Sequence, residues 1–446
     1  MALSAPTPKP KKKRSSVRHT RAIQRDRSKR PTVAPPPEQV EQRLTELIHP
    51  ATLAQLDHFH RLGLRARLLT LPVMVALVLS MLWRQIGSVQ ELVLLLGSEG
   101  FLWTSAVPVS QQALSQRLLS FPAVLFQGVF EAVLPQLNAR CAARQRPVPP
   151  VIAWAQARYT ALLVVDGSTL DALLRKVGLL RDAPQHPLAG RMTALLDLAS
   201  RLPQTLWYEP NPQASDQRTW PQILAAVPAG ALLLFDRGYT DFGRFLELTR
   251  AQVTWITRAK ARLDFRASQV LVHTALVRDT LGWIGAGPTH QQVRLVAVLV
   301  GGQWYRYLTN EVDPQRLPAP ELVGLYRHRW RIEEAYALVK RLLGLAYFWV
   351  GSENGVQLQL WATWLLYAVL VDLTDAVAEE LGQPVSALSL EMVYRRVYFF
   401  AQAFHRGEAH DLVTYLAENA RWLRLLKAKR KPPALEWPAL SLPALA

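Results

Sequence analysis

The chain has 446 residues, half of them hydrophobic, with 52 Lys and Arg against 34 Asp and Glu, for a formal charge of +18. That length allows two or three domains with cores of their own, and the charge calls for a polyanionic partner, nucleic acid first and acidic lipid second. One cysteine, Cys141, excludes an intramolecular disulfide framework and a cysteine-rich zinc site, and it fits a reducing compartment.

Residues 1–30 hold eleven Lys and Arg and one acid, Asp26, a net +10 that leaves +8 on the other 416 positions. This segment, poor in apolar residues and ending at Pro35-Pro36-Pro37, reads as a disordered basic tail over 1–40. Such a tail grips phosphates without sequence preference or simply keeps the chain in solution. It opens on charge rather than on an apolar stretch, so no secretory signal is read there. Residues 41–150 follow a helical pattern. Ser110 reads as an N-cap, and the helix after it presents Gln111, Gln112, Ser115 and Arg117 to phosphates or base edges, as the second helix of a helix-turn-helix would. An ordinary amphipathic helix fits the same residues. His58 and His60 have ligand-like spacing but read as surface residues. Two apolar runs, 68–83 and 360–371, read as buried core helices, since each falls short of the roughly 20 apolar residues of a spanning helix. No membrane partner is therefore expected.

From residue 159 the texture changes. Residues 159–165 read as a buried strand ending at Asp166-Gly167-Ser168, and 192–199 and 205–209 as two more strands of a meander. A helix is expected over 217–227, a strand over 231–235 ending at Asp236-Arg237-Gly238-Tyr239, a helix over 241–251 and a strand over 253–258. Three strands, helix, strand, helix, strand predicts a mixed sheet, antiparallel on one side and parallel on the other. Residues 262–320 read as an inserted β-rich subdomain with strands over 270–276, 293–299 and 304–308, the last after a Gly301-Gly302 hairpin turn. Helix resumes from residue 320, with a second long helix over about 356–380. The remainder is helical and basic.

In a basic chain, acids that converge are the chemistry to look for, because phosphoryl transfer on DNA uses paired divalent ions, and Mg²⁺ prefers carboxylate oxygens. Asp166 and Asp236 each follow an aliphatic strand, and ligands sit at the carboxyl ends of strands in open sheets. Either acid alone also suits a turn. A third acid is expected from the helix over 326–340. Stepping about 100° per residue from Tyr326 puts Arg329, Glu333 and Lys340 at about 300°, 340° and 320°, one stripe, with Glu334 at about 80°. Glu333 can then face a metal while Arg329 and Lys340 meet phosphates. An exposed helix with an i,i+4 Arg329–Glu333 ion pair is the competing reading. Arg237, Arg258, Lys260 and Arg262 are further candidates for a DNA channel, or for a solvated face. Asp171 and Asp197 lie near the same strands without occupying their expected ends.

Residues 326–340 carry Tyr326, Arg329, Glu333 and Lys340 at the spacing of the Tyr-(2)-Arg-(3)-Glu-(6)-Lys signature, and in this the chain resembles the IS4 family of bacterial DDE transposases. Asp166-Gly167-Ser168 and Phe235-Asp236-Arg237-Gly238-Tyr239 resemble the family's two Asp segments, and the likeness spans roughly residues 105–375. The resemblance implies an α/β fold, a ribonuclease-H-like mixed sheet with a β-rich insertion. The catalytic domain would comprise 156–261 and 321–380 and the insertion 262–320. A helical DNA-binding region over 41–150 would precede them, and a helical C-terminal region over 381–446 would follow. It implies Asp166, Asp236 and Glu333 as the catalytic and metal-binding triad, two Mg²⁺ ions with Mn²⁺ as a substitute, and DNA contacts from Tyr326, Arg329 and Lys340. Cut-and-paste strand cleavage and transfer at inverted-repeat ends is the implied reaction. Double-stranded DNA and a homodimer are the implied partners, and the bacterial cytoplasm, at the nucleoid, the implied place. A catalytically inactive or domesticated derivative that only binds DNA is the alternative. Some family members carry a further basic residue four after the Glu, where this chain has Ala337. Some hold a flipped base on an aromatic residue of the insertion; Trp283 and Trp304 are candidates, with core packing the competing role for both.

Overall fold

The computed structural model describes residues 38–427, apart from 66, 87, 171–189, 342, 344 and 346–351. The basic tail up to residue 37, the Pro-rich C-terminal residues and Asp171 lie outside the described residues; residues 38–40, read with the tail, instead open the first helix. Helices α1 (Glu38–Leu53), α2 (Leu56–Arg61), α3 (Leu71–Trp83), α4 (Val89–Ser98), α5 (Gln111–Ser120), α6 (Ala123–Ala143) and α7 (Pro150–Gln156) precede the sheet. Small polar caps define several starts: Ser88 Oγ accepts the Glu91 N–H at 3.1 Å and Ser110 Oγ the Ala113 N–H at 3.1 Å.

Strands β1 (Leu162–Thr169), β2 (Arg191–Asp197) and β3 (Pro203–Glu209) form the expected antiparallel meander. After α8 (Trp220–Ala226), β4 (Leu232–Phe235) runs parallel to β1, and after α9 (Phe242–Arg250), β5 (Thr254–Arg258) runs parallel to β4. The insertion supplies β6 (Arg266–His273), β7 (Val277–Ile284), β8 (Gln291–Val300) and β9 (Gln303–Thr309). It is not a separate sheet, because β9 pairs antiparallel with β5 and one nine-stranded sheet runs β3-β2-β1-β4-β5-β9-β8-β7-β6. The sequence pattern missed β7, whose Val277-Arg278-Asp279-Thr280 opening hides its aliphatic face behind charge. The expected turn is there: Gly301 and Gly302 have φ of +57° and +78°, as a two-residue hairpin between β8 and β9 requires. The mixed α/β architecture, with the order β3-β2-β1-β4-β5 on one side, fits the ribonuclease-H-like expectation.

Alternation along the strands divides the core. Val165, Leu233, Phe235 and Trp255 pack on one face under α8 and α9, whereas Leu162, Val164, Leu232, Leu234 and Ile256 pack on the other. The second face is covered by α10 (Ala319–His328), α11 (Arg331–Arg341) and α12 (Glu353–Glu380), with α13 (Leu390–His405) and α14 (Leu412–Glu418) behind. One hydrophobic cluster runs from Val40 to Leu425, so the boundaries expected near 150 and 381 do not coincide with breaks in packing. Phe130 of α6 meets Trp361 of α12 at 5.3 Å between ring centroids, joining the N-terminal helices to the helix beneath the sheet.

Helix α12 is apolar all round and long enough to cross a membrane, yet almost all of it is buried inside the fold. It also carries two charges that hydrocarbon could not hold. Asp372 takes Arg43 at 2.7 Å and Arg144 at 2.5 Å, and Asp375 takes Arg144 at 3.0 Å and Arg146. Burial opposes ionisation of Asp372, but Arg43 and Arg144 outweigh it and hold the carboxyl below its usual range. Removing the acid would take away the carboxylate of Arg43 and one of those that Arg144 shares. Asp372→Ala should therefore lower unfolding stability by about 3–5 kcal/mol, read as a shifted midpoint in urea.

Candidate active site

The parallel register places the first two acids. Val165 pairs with Phe235 and Phe235 with Thr257, so Asp166, Asp236 and Arg258 stand side by side along the same edge of β1, β4 and β5. Asp166 shares the face of Val164, two residues before it, and thus lies on the side covered by α10 and α11, but it lies inside β1 rather than at its end, since pairing with β2 continues to Thr169. Asp236 follows β4 and opens the short turn Arg237–Tyr239. That turn is braced from below by Trp220, whose ring lies 5.4 Å from Phe235 and 5.7 Å from Tyr239.

Residues 326–340 are not one helix. Arg329 N–H bonds to Tyr326 O at 3.1 Å and Ile332 N–H to Arg329 O at 3.2 Å, a tight i,i+3 turn that separates α10 from α11. The expected stripe nevertheless meets the sheet. Arg329 is buried and donates to Asp166 Oδ2 at 3.1 Å and to Glu333 Oε1 at 2.7 Å, so one guanidinium joins the first and third acids. The Tyr326 hydroxyl lies 3.3 Å from Phe235 O and 3.5 Å from Asp236 Oδ1, and burial raises its pKa. Lys340 reaches Ser168 Oγ and donates to Thr169 O at 2.7 Å, beside Asp166 and not out toward solvent. The i,i+4 pair Arg329–Glu333 is thus real, but it is also part of the site.

Burial pushes the Asp166 carboxyl up to about 6; Arg329 and the Gly167 N–H pull the other way, and Asp216 and Asp236 add to the rise. Two residues of this setting carried no role in the sequence reading. Tyr336 donates to Asp166 O and accepts the Ala194 N–H at 3.0 Å, pinning α11 to β1 and β2. Its place three residues after Glu333, on the same helical face, was the available signal. Asp216 pairs with Arg191 beneath the strand ends, and a Cβ on Gly167 would meet Asp216 Oδ1 at 2.3 Å and one on Gly238 would meet Oδ2 at 3.2 Å. Gly167 and Gly238, close after the two acids in the chain, thus leave room for Asp216, which nothing local in the sequence signals.

Arg258 is half-buried beside Asp236 with its guanidinium 5.4 Å from the Tyr305 ring, while Arg237, Lys260 and Arg262 are exposed. Trp304 lies under Arg278 at 4.5 Å and Trp283 stacks on His290 at 4.6 Å, so both rings are engaged within the insertion. The helix-turn-helix expectation changes. Ser110 does cap α5, Gln112 is exposed and Ser115 half-buried, but residues 99–110 separate α4 from α5 instead of a short turn. Arg117 turns inward, its guanidinium 5.8 Å from the Phe59 ring and 5.3 Å from Phe121, and donates to Leu69 O at 3.2 Å. It supports the packing of α5 on α2. His58 and His60 lie at the surface, and Asp197 caps the turn after β2 through Ser200 N.

Residues 181–369 match the family described as the transposase DDE domain, a span that includes Asp236 and Glu333 and begins after Asp166. The chain is 28% identical over 156 residues to "Putative transposase y4zB" of Sinorhizobium fredii, covering 32% of this chain and 43% of the relative. It is also 28% identical over 149 residues to "Transposase InsG for insertion sequence element IS4" of Escherichia coli, covering 32% of this chain and 34% of the relative. Over this span the chain is similar to DDE transposases, the IS4 transposase among them. Its match spans less than half the length of either curated relative.

A DDE transposase domain implies a divalent metal, generally Mg²⁺, and carboxylate oxygens are the donors such a hard ion takes. Among the described residues, however, no group of three His, Cys, Asp or Glu side chains is arranged to hold a metal ion. Arg329 fills the gap between Asp166 and Glu333. The donors fit; the room between them depends on Arg329 turning away.

Two outcomes follow from this geometry. Gly167→Ala should force Asp216 aside and cost about 1–3 kcal/mol in chemical denaturation, with a larger loss of activity than of stability if the Asp166 main chain shifts. His328 precedes the helix break, and burial, then Arg331, pulls its pKa down to about 4 against the pull of Glu334. A depressed folded pKa means the unfolded chain takes up the proton first, so stability is full above about 6.5 and falls as pH drops toward 4. Unfolding midpoints measured between pH 7 and 4.5 should decline less in His328→Gln than in the parent.

Proposed function

We propose that this protein is a DNA transposase that cleaves and joins strands at the inverted-repeat ends of its own element by cut-and-paste, acting as a dimer. The observation that carries the reading is the convergence of Asp166, Asp236 and Glu333 around Arg329 and Tyr326, from segments 70 and 97 positions apart in the chain. In this reading Asp166, Asp236 and Glu333 hold two Mg²⁺ ions, for which Mn²⁺ substitutes. The ions, when bound, activate the attacking oxygen and stabilise the leaving one.

The chain's own groups do the rest. Arg329 neutralises Asp166 and Glu333 before metal and DNA arrive, then exchanges those carboxylates for a phosphate oxygen, to which its planar fork is equally suited. Lys340 and Arg258 flank the acids and orient the scissile phosphate. Tyr326 keeps its hydroxyl at Asp236 Oδ1, and its raised pKa keeps it a proton donor rather than a competing anion. Gln112 and Ser115, with Arg237, are proposed to meet DNA away from the reacting phosphate.

Purified full-length protein with Mg²⁺ should nick and then join a duplex bearing the element's ends. Glu333→Gln and Asp236→Asn should each slow this by more than about a hundredfold while leaving end binding within a few-fold, because a lost ligand forfeits several kcal/mol of charge stabilisation. Chelation of the metal should have the same effect. Undiminished cleavage by Glu333→Gln would remove the mechanism, and tight end binding without cleavage under Mg²⁺ or Mn²⁺ would identify an inactive, DNA-binding derivative.

A further inference from the structure

The helix break that delivers Arg329 to the acids also builds a second charged site, one residue further round α11. Glu334 points away from Glu333, and its Oε2 alone takes Arg201 at 2.8 Å, Lys427 at 2.8 Å and Arg331 at 3.3 Å. Three cations thus share one carboxylate, leaving two positive charges without an acid. Arg201 is buried, and its Nε has no partner among the described residues. Around this cluster lies an open cavity of about 570 Å³, walled by Arg327, Arg331, Lys427, Ser386 and the Trp330 ring. Arg327 adds a further positive charge at the rim, and Trp330 is 60% exposed, with its other neighbour the Arg329 guanidinium at 5.5 Å.

We propose that this cavity is a phosphate-binding pocket for duplex DNA, holding a backbone phosphodiester of the strand that passes the catalytic acids. The inference rests on the DNA-processing reading above and adds a subsite to it. An anion is demanded by the charge count, since a pocket with two surplus cations is stabilised by whatever acid enters. Burial, then the nearby Arg201, pulls the Lys427 pKa down to about 8 against the pull of Glu334. A backbone phosphate is favoured over a small free anion by placement. The pocket is open along one side, and the Trp330 ring connects it to Arg329 and hence to Asp166 and Glu333. A strand leaving the acids meets this rim next. Lys427 and Arg331 can bind the phosphate by exchanging Glu334 for it, and Ser386 offers a neutral donor.

The test is the salt dependence of binding to a fluorescein-labelled duplex of arbitrary sequence, measured by anisotropy over a series of NaCl concentrations. Each phosphate contact removed lowers the steepness of log affinity against log salt by about 0.9. Lys427→Gln and Arg327→Gln should each flatten the slope by about one and weaken binding several-fold at low salt. Arg406→Gln removes an exposed cation just after α13, outside the pocket lining, and should leave the slope unchanged. Unfolding midpoints identify a variant that fails to fold, and Arg327, exposed and outside the Glu334 cluster, keeps the measurement interpretable if Lys427→Gln does so. An unchanged slope in both pocket variants overturns the pocket while DNA binding stands, and an equal loss in Arg406→Gln overturns it as diffuse charge. A parent protein that binds no duplex overturns the DNA reading and the pocket with it.

Discussion

Two aspartates on neighbouring parallel strands are an electrostatic problem before they are a site. Charges one strand spacing apart, about 4.8 Å, repel by about 3 kcal/mol at an effective dielectric near 20. Asp166 is also largely out of water, and Asp216 lies just beneath it. What makes the arrangement tolerable is the buried Arg329 guanidinium, which bonds Asp166 and Glu333 at once and sits within reach of the field of Asp236. The same repulsion that needs this counter-charge is what gives such a cluster its affinity for divalent cations. Arg329 is thus the counter-charge of the acid cluster, and a divalent ion bound there, as proposed, would have to displace it.

That guanidinium can act only because several unrelated contacts fix the helix break that carries it. Tyr326 packs its ring 5.2 Å from Tyr307 of β9, and Tyr336 locks α11 to β1 and β2. The buried Arg294–Asp279 pair of the insertion donates to Leu317 O at 2.6 Å, just before α10 begins. The insertion therefore sets where α10 starts, the central sheet sets where α11 lies, and the turn between them follows. A polar network buried this way specifies one arrangement more than it adds stability.

Much of this was legible in residue order. The two acids on aliphatic strands, the meander, the alternation of helix and strand and the four-point stripe of Tyr326, Arg329, Glu333 and Lys340 rest on local periodicity, which is where a sequence speaks most clearly, although Asp166 proved to lie within its strand and not at its end. The misreadings lie where non-local contacts decide. The break at Arg329 has no proline or glycine to announce it, and it coincides with the side chain's contacts to Asp166 and Glu333. The pairing of β9 with β5, which merges the insertion into the sheet, depends on register between segments about 50 residues apart. Arg117 looked like an outward cation because a helical wheel cannot see Phe59 and Phe121 closing on it. Asp216 and the crowded Gly167 became meaningful only together, as two positions 49 residues apart in close contact.

The placement of α12 has a consequence for how the molecule comes into being. The helices 319–328 and 331–341 that cover the acid-bearing face are backed by the helix of residues 353–380, through Tyr336 against Trp364, and that helix is clasped in turn by arginines from residues 43, 144 and 146. During synthesis the strands emerge first, and the layer on that side is not closed until more than four-fifths of the chain has been made. Early arginines wait for late aspartates, so the N-terminal helices cannot settle ahead of the rest. A product ending before residue 353 would lack the helix that closes this layer and expose apolar surface.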